Sequence, residues 1–295
     1  MRVLVAGATG FIGTQLTRQL LIDGHEVLRL TRGEPKTADE YRWSPADLWV
    51  DPVAIEQADA VVNLAGAPTG RLPWTPHYKR EILYSRVRGT QAIAEAIAAS
   101  SEPPSVYLAG SAVGYYGDRP GEQLTEASTK GEGFLADVVE AWEQAADLTP
   151  TTTRLVKLRT GVVVGPGGAF APLIPLTLLG LGARIGTGRQ FWPWISLFDE
   201  AAAIRHLLTS DLEGVVNLAG PIAARSGEIT SALARVLGRW HPWAVPTFAL
   251  EATGDFGHDV LLADQEVVPE RLEADGFEFR HRTINAAMSA LAASR

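Results

Sequence analysis

The stretch Gly110–Asp118, GSAVGYYGD, sets one serine and two tyrosines between glycines directly after the apolar run SVYLA. Hydroxyls at the end of a strand can hold or protonate the oxygen of a carbonyl or alcohol, which makes Ser111, Tyr115 and Tyr116 the catalytic candidates. An unassisted phenol titrates near ~10 and is a poor base at neutral pH unless a cation lies close. Arg86 and Arg159 are the cations within reach of this idea, and both are candidates to bind an anionic substrate or a developing oxyanion. Lys130 and Glu126, in LTEASTKGEG, are the other ionisable groups nearby. The structural alternative is that Tyr115 packs in the core and Ser111 satisfies a loop backbone.

A second constellation lies at the start of the chain, where Gly7, Gly10 and Gly13 form G-x-x-G-x-x-G between an apolar run and an amphipathic segment. Such glycines permit a tight turn, close approach of backbone to a pyrophosphate, and close packing of a helix on a sheet. Thr9, Phe11 and Ile12 complete the loop, and a helix N-terminus there offers N–H groups to phosphate. The next apolar run ends in Thr31-Arg32-Gly33, with no acid to accept from a ribose 2′-hydroxyl. A small hydroxyl and a guanidinium suit a 2′-phosphate, so the expected cofactor is NADP(H). Leu64, Ala65 and Gly66, at the end of AVVNL, together with Arg86, are expected to line the same cofactor, whereas Asp59 reads as a structural cap.

Positioning these groups requires an α/β fold. Arg2–Ala6, Glu26–Leu30, Ala60–Leu64, Ser105–Ala109 and Leu155–Val164 read as strands buried on both faces. They alternate with helical spacing over Lys79–Ser100 and Glu132–Leu148, which predicts a Rossmann-type, doubly wound parallel sheet. Beyond residue 165 prolines, glycines and aromatics thicken, and helices are expected over Gly227–Leu237, Val268–Asp275 and Thr283–Ala293. The division that follows is a dinucleotide-binding domain over 1–165, rejoined by 197–222 with its strand Val215–Ala219. A smaller substrate lobe takes 166–196 and 223–295. VVNLAG occurs twice, at Val61–Gly66 and Val215–Gly220, which two similar buried strands explain.

Composition narrows the function. The chain has 295 residues, a net charge of −8 and no cysteine, which excludes thiolate chemistry and disulfides. His25, His77, His206, His241, His258 and His281 lack metal-ligand spacing, so no metal is expected. Without a basic stripe, nucleic acid is not an expected partner. The uncharged run Thr160–Ala183 contains Pro166, Pro172, Pro175 and six glycines, which argues against a membrane span. Glycines also interrupt the apolar start, so a signal peptide is not read there, and the expected location is the cytoplasm.

Together GATGFIG, DAVVNLAG, RVRGTQAI (Arg86–Ile93), LRTGVV (Leu158–Val163) and WISLFD (Trp194–Asp199) resemble, in order, the extended short-chain dehydrogenase/reductases, the sugar-nucleotide epimerases and dehydratases. GSAVGYYGD, RTGVVVGPGG, IGTGRQFWPWI and the tail VPERLEADGFEF (Val268–Phe279) are similar to an atypical subgroup known as "epimerase family protein", also loosely labelled cell-division-inhibitor-like. The resemblance implies a nucleotide-dependent oxidoreductase and a homodimer through the two long helices. It also implies a substrate-contacting loop at Gly186–Trp194, with Arg189, Gln190 and Trp194 as binding residues. Departures are equally specific. The superfamily's Tyr-x-x-x-Lys pair falls on Phe134 and Val138, its serine on Ala112 with Ser111 one residue earlier, and its asparagine on Arg86. The expected function is thus an NADP(H)-dependent oxidoreductase or epimerase-like enzyme acting on a small polar substrate, sugars included. The alternative is an NADPH-binding sensor or scaffold without turnover.

Overall fold

The structure, a computed structural model, describes residues 1–293. Its first half interleaves β1 (Arg2–Ala6), α1 (Phe11–Ile22), β2 (Glu26–Thr31), β3 (Glu40–Ser44), β4 (Trp49–Val50) and α2 (Pro52–Glu56). There follow β5 (Ala60–Asn63), α3 (Pro76–Ala99), β6 (Val106–Ala112), β7 (Gln123–Leu124), α4 (Phe134–Ala146) and β8 (Arg154–Thr160). The second half runs β9 (Val162–Val164), α5 (Phe170–Leu178), β10 (Ala183–Ile185), β11 (Trp194–Ser196), α6 (Leu197–Leu207) and β12 (Gly214–Leu218). It ends with α7 (Ser226–Val236), β13 (Trp243–Val245), α8 (Thr247–Glu251), β14 (Glu266–Val267), α9 (Glu270–Ala274) and α10 (Ile284–Ala293).

The central sheet has the order β12-β8-β6-β5-β1-β2-β3-β4, parallel throughout except for the antiparallel edge pair β3–β4. The chain builds outward from β1 in one direction through β2 to β4, then returns to add β5, β6, β8 and β12 on the other side. The order therefore reverses between β1 and β5, and ligands of such sheets bind at the carboxyl ends beside that reversal. Strand alternation sends Val3, Val5, Leu108, Leu158 and Val216 to the face covered by α1 and α6. Leu4, Ala6, Tyr107 and Ala109 go to the opposite face, where Ile93 and Ile97 of α3 cover them. A third apolar cluster, with Phe170, Ile174, Trp192, Trp194, Ile229, Leu233 and Met288, belongs to the second half of the chain.

Several elements differ in detail from the sequence pattern. The apolar run 155–164 is two strands, because Gly161 turns it out of the main sheet. A side chain at Gly161 would stand 2.6 Å from the Pro193 carbonyl oxygen, and β9 beyond it pairs with β11. The long helix α3 begins earlier, at Pro76, where Thr75 accepts a hydrogen bond from the Tyr78 N–H at 3.2 Å. Strands β3 and β4 were not expected, although E-Y-R-W-S alternates as a half-buried strand should. Among the described residues no helix is long and apolar enough to cross a membrane.

Helix α6 carries a buried acid. Ser196 caps the helix by accepting from the Asp199 N–H, and the Asp199 carboxylate accepts from the backbone N–H groups of Arg280 and His281 and from the Ser196 hydroxyl, tying the C-terminal segment to α6. Its neighbour Glu200 is fully buried, accepts from the Thr160 hydroxyl at 2.8 Å, and leaves Oε2 without a partner. Burial pushes this carboxyl up to about 8. The folded chain thus keeps a proton that the unfolded chain releases above the ordinary carboxyl range, so this group's contribution to stability falls as pH rises from about 4.5 to about 8. The Glu200→Gln variant should gain stability relative to wild type by about 1.4 kcal/mol per pH unit across that window, read from urea midpoints at pH 5, 6, 7 and 8. Parallel pH profiles for the two proteins would refute a proton on Glu200.

Candidate active site

The glycine loop between β1 and α1 is built by contact. Gly7 has φ +83°, and a side chain there would meet the Leu64 carbonyl at 3.0 Å. A Cβ on Gly13 would lie 2.1 Å from the Gly7 oxygen, so α1 can press on the turn only if residue 13 is glycine. The Gly10 N–H closes the turn on the Gly7 carbonyl at 2.9 Å. As N-cap, Gly10 supplies no side-chain acceptor to α1, whose first turn also holds no acid. The first N–H groups of α1 thus stay open to an anion. Phe11 faces the second glycine cluster, where a Cβ on Gly165 or Gly167 would stand 2.5 or 2.7 Å from its ring. Thr9 is exposed, and Ile12 packs partly against the α1-side core.

Two further segments border this loop. The Leu64 N–H bonds the Ala6 carbonyl and the Ala65 N–H bonds Asn63 Oδ1, placing Leu64, Ala65 and exposed Gly66 beside the strand-order reversal. At the end of β2, Thr31 Oγ1 accepts from the Gly33 N–H at 3.3 Å. Arg32 beside it is exposed and has no partner among the described residues. Neighbouring cations differ, since Arg29 is paired with Asp39 and Arg42 with Glu34.

Ser111, Arg159 and Asn217 stand side by side on β6, β8 and β12, in register across three strands and on one face. Glu143 of α4 closes the group from above. It takes the Ser111 hydroxyl at 2.6 Å and two guanidinium bonds from Arg159, at 2.7 and 2.8 Å. The third Arg159 bond goes to the Tyr116 hydroxyl at 3.1 Å, which itself donates to Asn217 Oδ1 at 2.7 Å. All four strand and helix side chains are buried, Tyr116 completely. Burial works against the Arg159 charge, but the Glu143 carboxylate outweighs it and raises the guanidinium pKa. Burial likewise raises the Tyr116 phenol, with Arg159 opposing. Tyr115 is different: its ring is half-buried, stacks 3.5 Å from the Arg159 guanidinium, and its hydroxyl bonds no described residue.

The sequence candidates therefore separate. Ser111, Tyr115, Tyr116 and Arg159 come together, but Ser111 is bonded to Glu143, Tyr116 to Asn217 and Arg159, and Arg159 is neutralised by Glu143. Gln190 is buried, its amide donating to the Ile185 and Leu261 carbonyls. Trp194 is 1% exposed, and its indole N–H bonds the Ile222 carbonyl. Of the three binding candidates in that loop Arg189 is the exposed one, and its carbonyl accepts from Arg225. Lys130 pairs with Asp137 and Glu140, and Glu126 accepts from the backbone N–H groups of Asn217 and Arg271. Sequence reasoning missed Glu143 and Asn217. An acid on the apolar face of the α4 pattern, beside Trp142, was the available signal.

Phe134 and Val138, which the resemblance aligns with the superfamily's tyrosine and lysine, lie at the α3–α4 interface. Phe134 meets Trp74 edge-on at 5.5 Å, and Trp74 meets Phe256 at 5.4 Å. Lys79 of α3, paired with Asp255, lies 4.8 Å from the Phe134 ring centre. Asp259 caps α4 by accepting from the Leu135 N–H at 2.8 Å. Val138 is buried against Tyr78 and Ile82. One α3 turn pair further on, Arg86 lies 5.2 Å from the Trp142 ring centre and donates through Nη1 to the Ala67 and Ile82 carbonyls. Burial pushes its guanidinium down to about 10, still charged at neutral pH.

Removing one partner of a buried ion pair strands the other charge. Arg159→Met should therefore destabilise the fold by about 3–5 kcal/mol. Pairing it with Glu143→Leu should recover part of that loss, as a double-mutant cycle by chemical denaturation would show. Additive losses would mean that the two groups are not coupled.

Comparison with known proteins places this geometry. Residues 3–219 match the NAD dependent epimerase/dehydratase family, and residues 245–291 match a domain of unknown function (DUF1731). An epimerase family protein of Mycobacterium bovis is 38% identical over 290 residues, covering 97% of this chain and 96% of the relative. The crystal structure of human epimerase family protein SDR39U1 with NADPH superposes with a TM-score of 0.92 at 34% identity, over 100% of both chains. The Thermus thermophilus UDP-glucose 4-epimerase complex with NAD shares the fold at 22% identity, with a TM-score of 0.76 over 99% of this chain and 98% of that one.

Proposed function

This chain belongs to the NAD dependent epimerase/dehydratase family, and we propose that it is an NADP(H)-dependent oxidoreductase in which Tyr115 holds the reacting oxygen. Its residues fit the dinucleotide. The cradle at Gly7, Gly10 and Gly13 is one that Cβ atoms would fill, and the open N–H groups of α1 face it. Leu64, Ala65 and Gly66 form the opposite wall. When bound, the nicotinamide supplies or accepts a hydride.

The observation that carries the choice of NADP(H) is Arg32, an exposed, unpaired guanidinium at the end of β2 where no carboxylate is free to take a 2′-hydroxyl. NADPH is also the ligand of the human relative. Among the clustered hydroxyls, Tyr115 is the one with an unengaged oxygen, and the ion pair behind it fixes its ring. Ser111 and Tyr116 act through the network that holds this position.

A second function, cofactor binding without turnover, is favoured by Phe134 and Val138, which offer neither a proton nor a charge. The two separate experimentally. Calorimetry should give stoichiometric NADPH binding, and Arg32→Asp should weaken NADPH at least tenfold while changing NADH less than threefold. Equal losses would refute the 2′-phosphate role. A screen of sugars, ketones and quinones should find NADPH oxidation that Tyr115→Phe lowers by about 10²–10⁴-fold, the usual range for a lost proton donor. Tight NADPH binding with no oxidation across the screen would instead select the sensor or scaffold.

A further inference from the structure

Arg86 is a partly buried cation without a counter-ion among the described residues. Nη1 uses its two hydrogens on the Ala67 and Ile82 carbonyls, while Nε and Nη2 have no acceptor among the described residues. No carboxylate among the described residues pairs with it, and the face of Trp142 beneath it disperses the charge without neutralising it. A guanidinium removed from bulk water in this way calls for an anion.

Its position says which anion. A Cβ on Gly66 would touch the Arg86 guanidinium carbon at 3.4 Å, and Trp142 fits over Gly110, where a Cβ would stand 2.8 Å from the ring. Arg86 is thus held at the carboxyl ends of β5 and β6, on the α3–α4 face of the sheet. The groups suited to a dinucleotide's phosphates, the α1 N-terminus and Arg32, follow β1 and β2 on the other side of the strand-order reversal. Trp142 offers nothing polar of its own, because its N–H is spent on Thr90 Oγ1 at 2.8 Å.

We propose that Arg86 binds an anionic group of the substrate, a carboxylate or a phosphate, so that the substrate class is small anionic carbonyl compounds rather than neutral sugars. This rests on the NADP(H)-dependent oxidoreductase proposed above for its placement of the cofactor, and the experiment keeps the two apart. Oxalate, inorganic phosphate and neutral oxamide are titrated into the full-length protein, with and without NADPH, following the Arg86 Nε–Hε resonance and the binding heat. At least one anion should bind with millimolar affinity and shift that resonance, the better of the two identifying carboxylate or phosphate, while oxamide should do neither. Arg86→Gln should weaken that anion at least tenfold and NADPH less than threefold, and Arg86→Lys should retain most of the anion binding. The proposal falls if neither anion moves the wild-type resonance, if Arg86→Gln binds the anion as well as wild type, or if Arg86→Gln loses NADPH tenfold and leaves the anion unaffected. Failure of NADPH to bind wild type would sink the cofactor assignment alone, since the titration without NADPH still reads Arg86.

Discussion

The pairing of Glu143 on α4 with Arg159 on β8 is the contact around which the candidate site is arranged. An isolated charge at either position would be strongly unfavourable in so dry a place, and attraction offsets desolvation only when geometry is good and the remaining polar atoms are satisfied. Both conditions are met here. The guanidinium meets the carboxylate through two parallel bonds, Ser111 adds a third donor to Glu143, and Tyr116 accepts from the third guanidinium nitrogen, Nη1. Each bond spans two elements, so the network fixes α4, β6, β8 and β12 relative to one another. It also decides the chemistry. A serine and a tyrosine that look reactive by position are instead internal, and the hydroxyl left over belongs to Tyr115.

With α4 held in this way, its other exposed-edge positions are free to be apolar, and α3 supplies the charge. Lys79 and Arg86 are seven residues apart and share one face of α3, and they stack on Phe134 and Trp142, eight apart on α4. The first of these contacts falls at Phe134, the position that the resemblance aligns with the superfamily's phenol, while the position it aligns with the ammonium is Val138, packed on Tyr78 and Ile82. The phenol cannot be restored by geometry alone, because Phe134 is locked against Trp74, itself packed on Phe256, and the helix start is capped by Asp259. Segment 255–259 therefore closes over the start of α4 and couples the second half of the chain to the candidate site.

How much of this was legible follows from where the determining contact lies. Gly13 announces itself because its constraint comes from the Gly7 backbone six residues earlier, so spacing alone carries the information, whereas the Leu64 carbonyl that presses on Gly7 lies on a distant strand end. The doubly wound sheet was legible because buried parallel strands read as continuous apolar runs. Ser111 was misleading by one residue: strand alternation turns it toward α4, whereas Ala112 faces the other way. Arg159 could not be read as an ion-pair partner, since Glu143 lies 16 residues earlier on a different element and declares itself only as an acid on an apolar face. Gln190 and Trp194 show the same limit. Both were in a loop that the resemblance assigns to substrate, and both are consumed by carbonyls of segments far along the chain or just beyond the loop.

Net charge gives the last constraint. At −8 the chain repels anions at long range, so an anionic ligand must be held by local cations that no carboxylate has already neutralised. Most cations around the site fail that condition: Arg29, Lys79, Lys130, Lys157 and Arg159 each face an acid. Arg32 and Arg86 meet it, and they lie on opposite sides of the strand-order reversal, one following β2 and the other at the ends of β5 and β6. Under the proposed function the two guanidinium groups, one on each side of the glycine cradle, would each take one anion. On that proposal a dinucleotide phosphate would account for the first, and the second would be left for the molecule on which the cofactor acts.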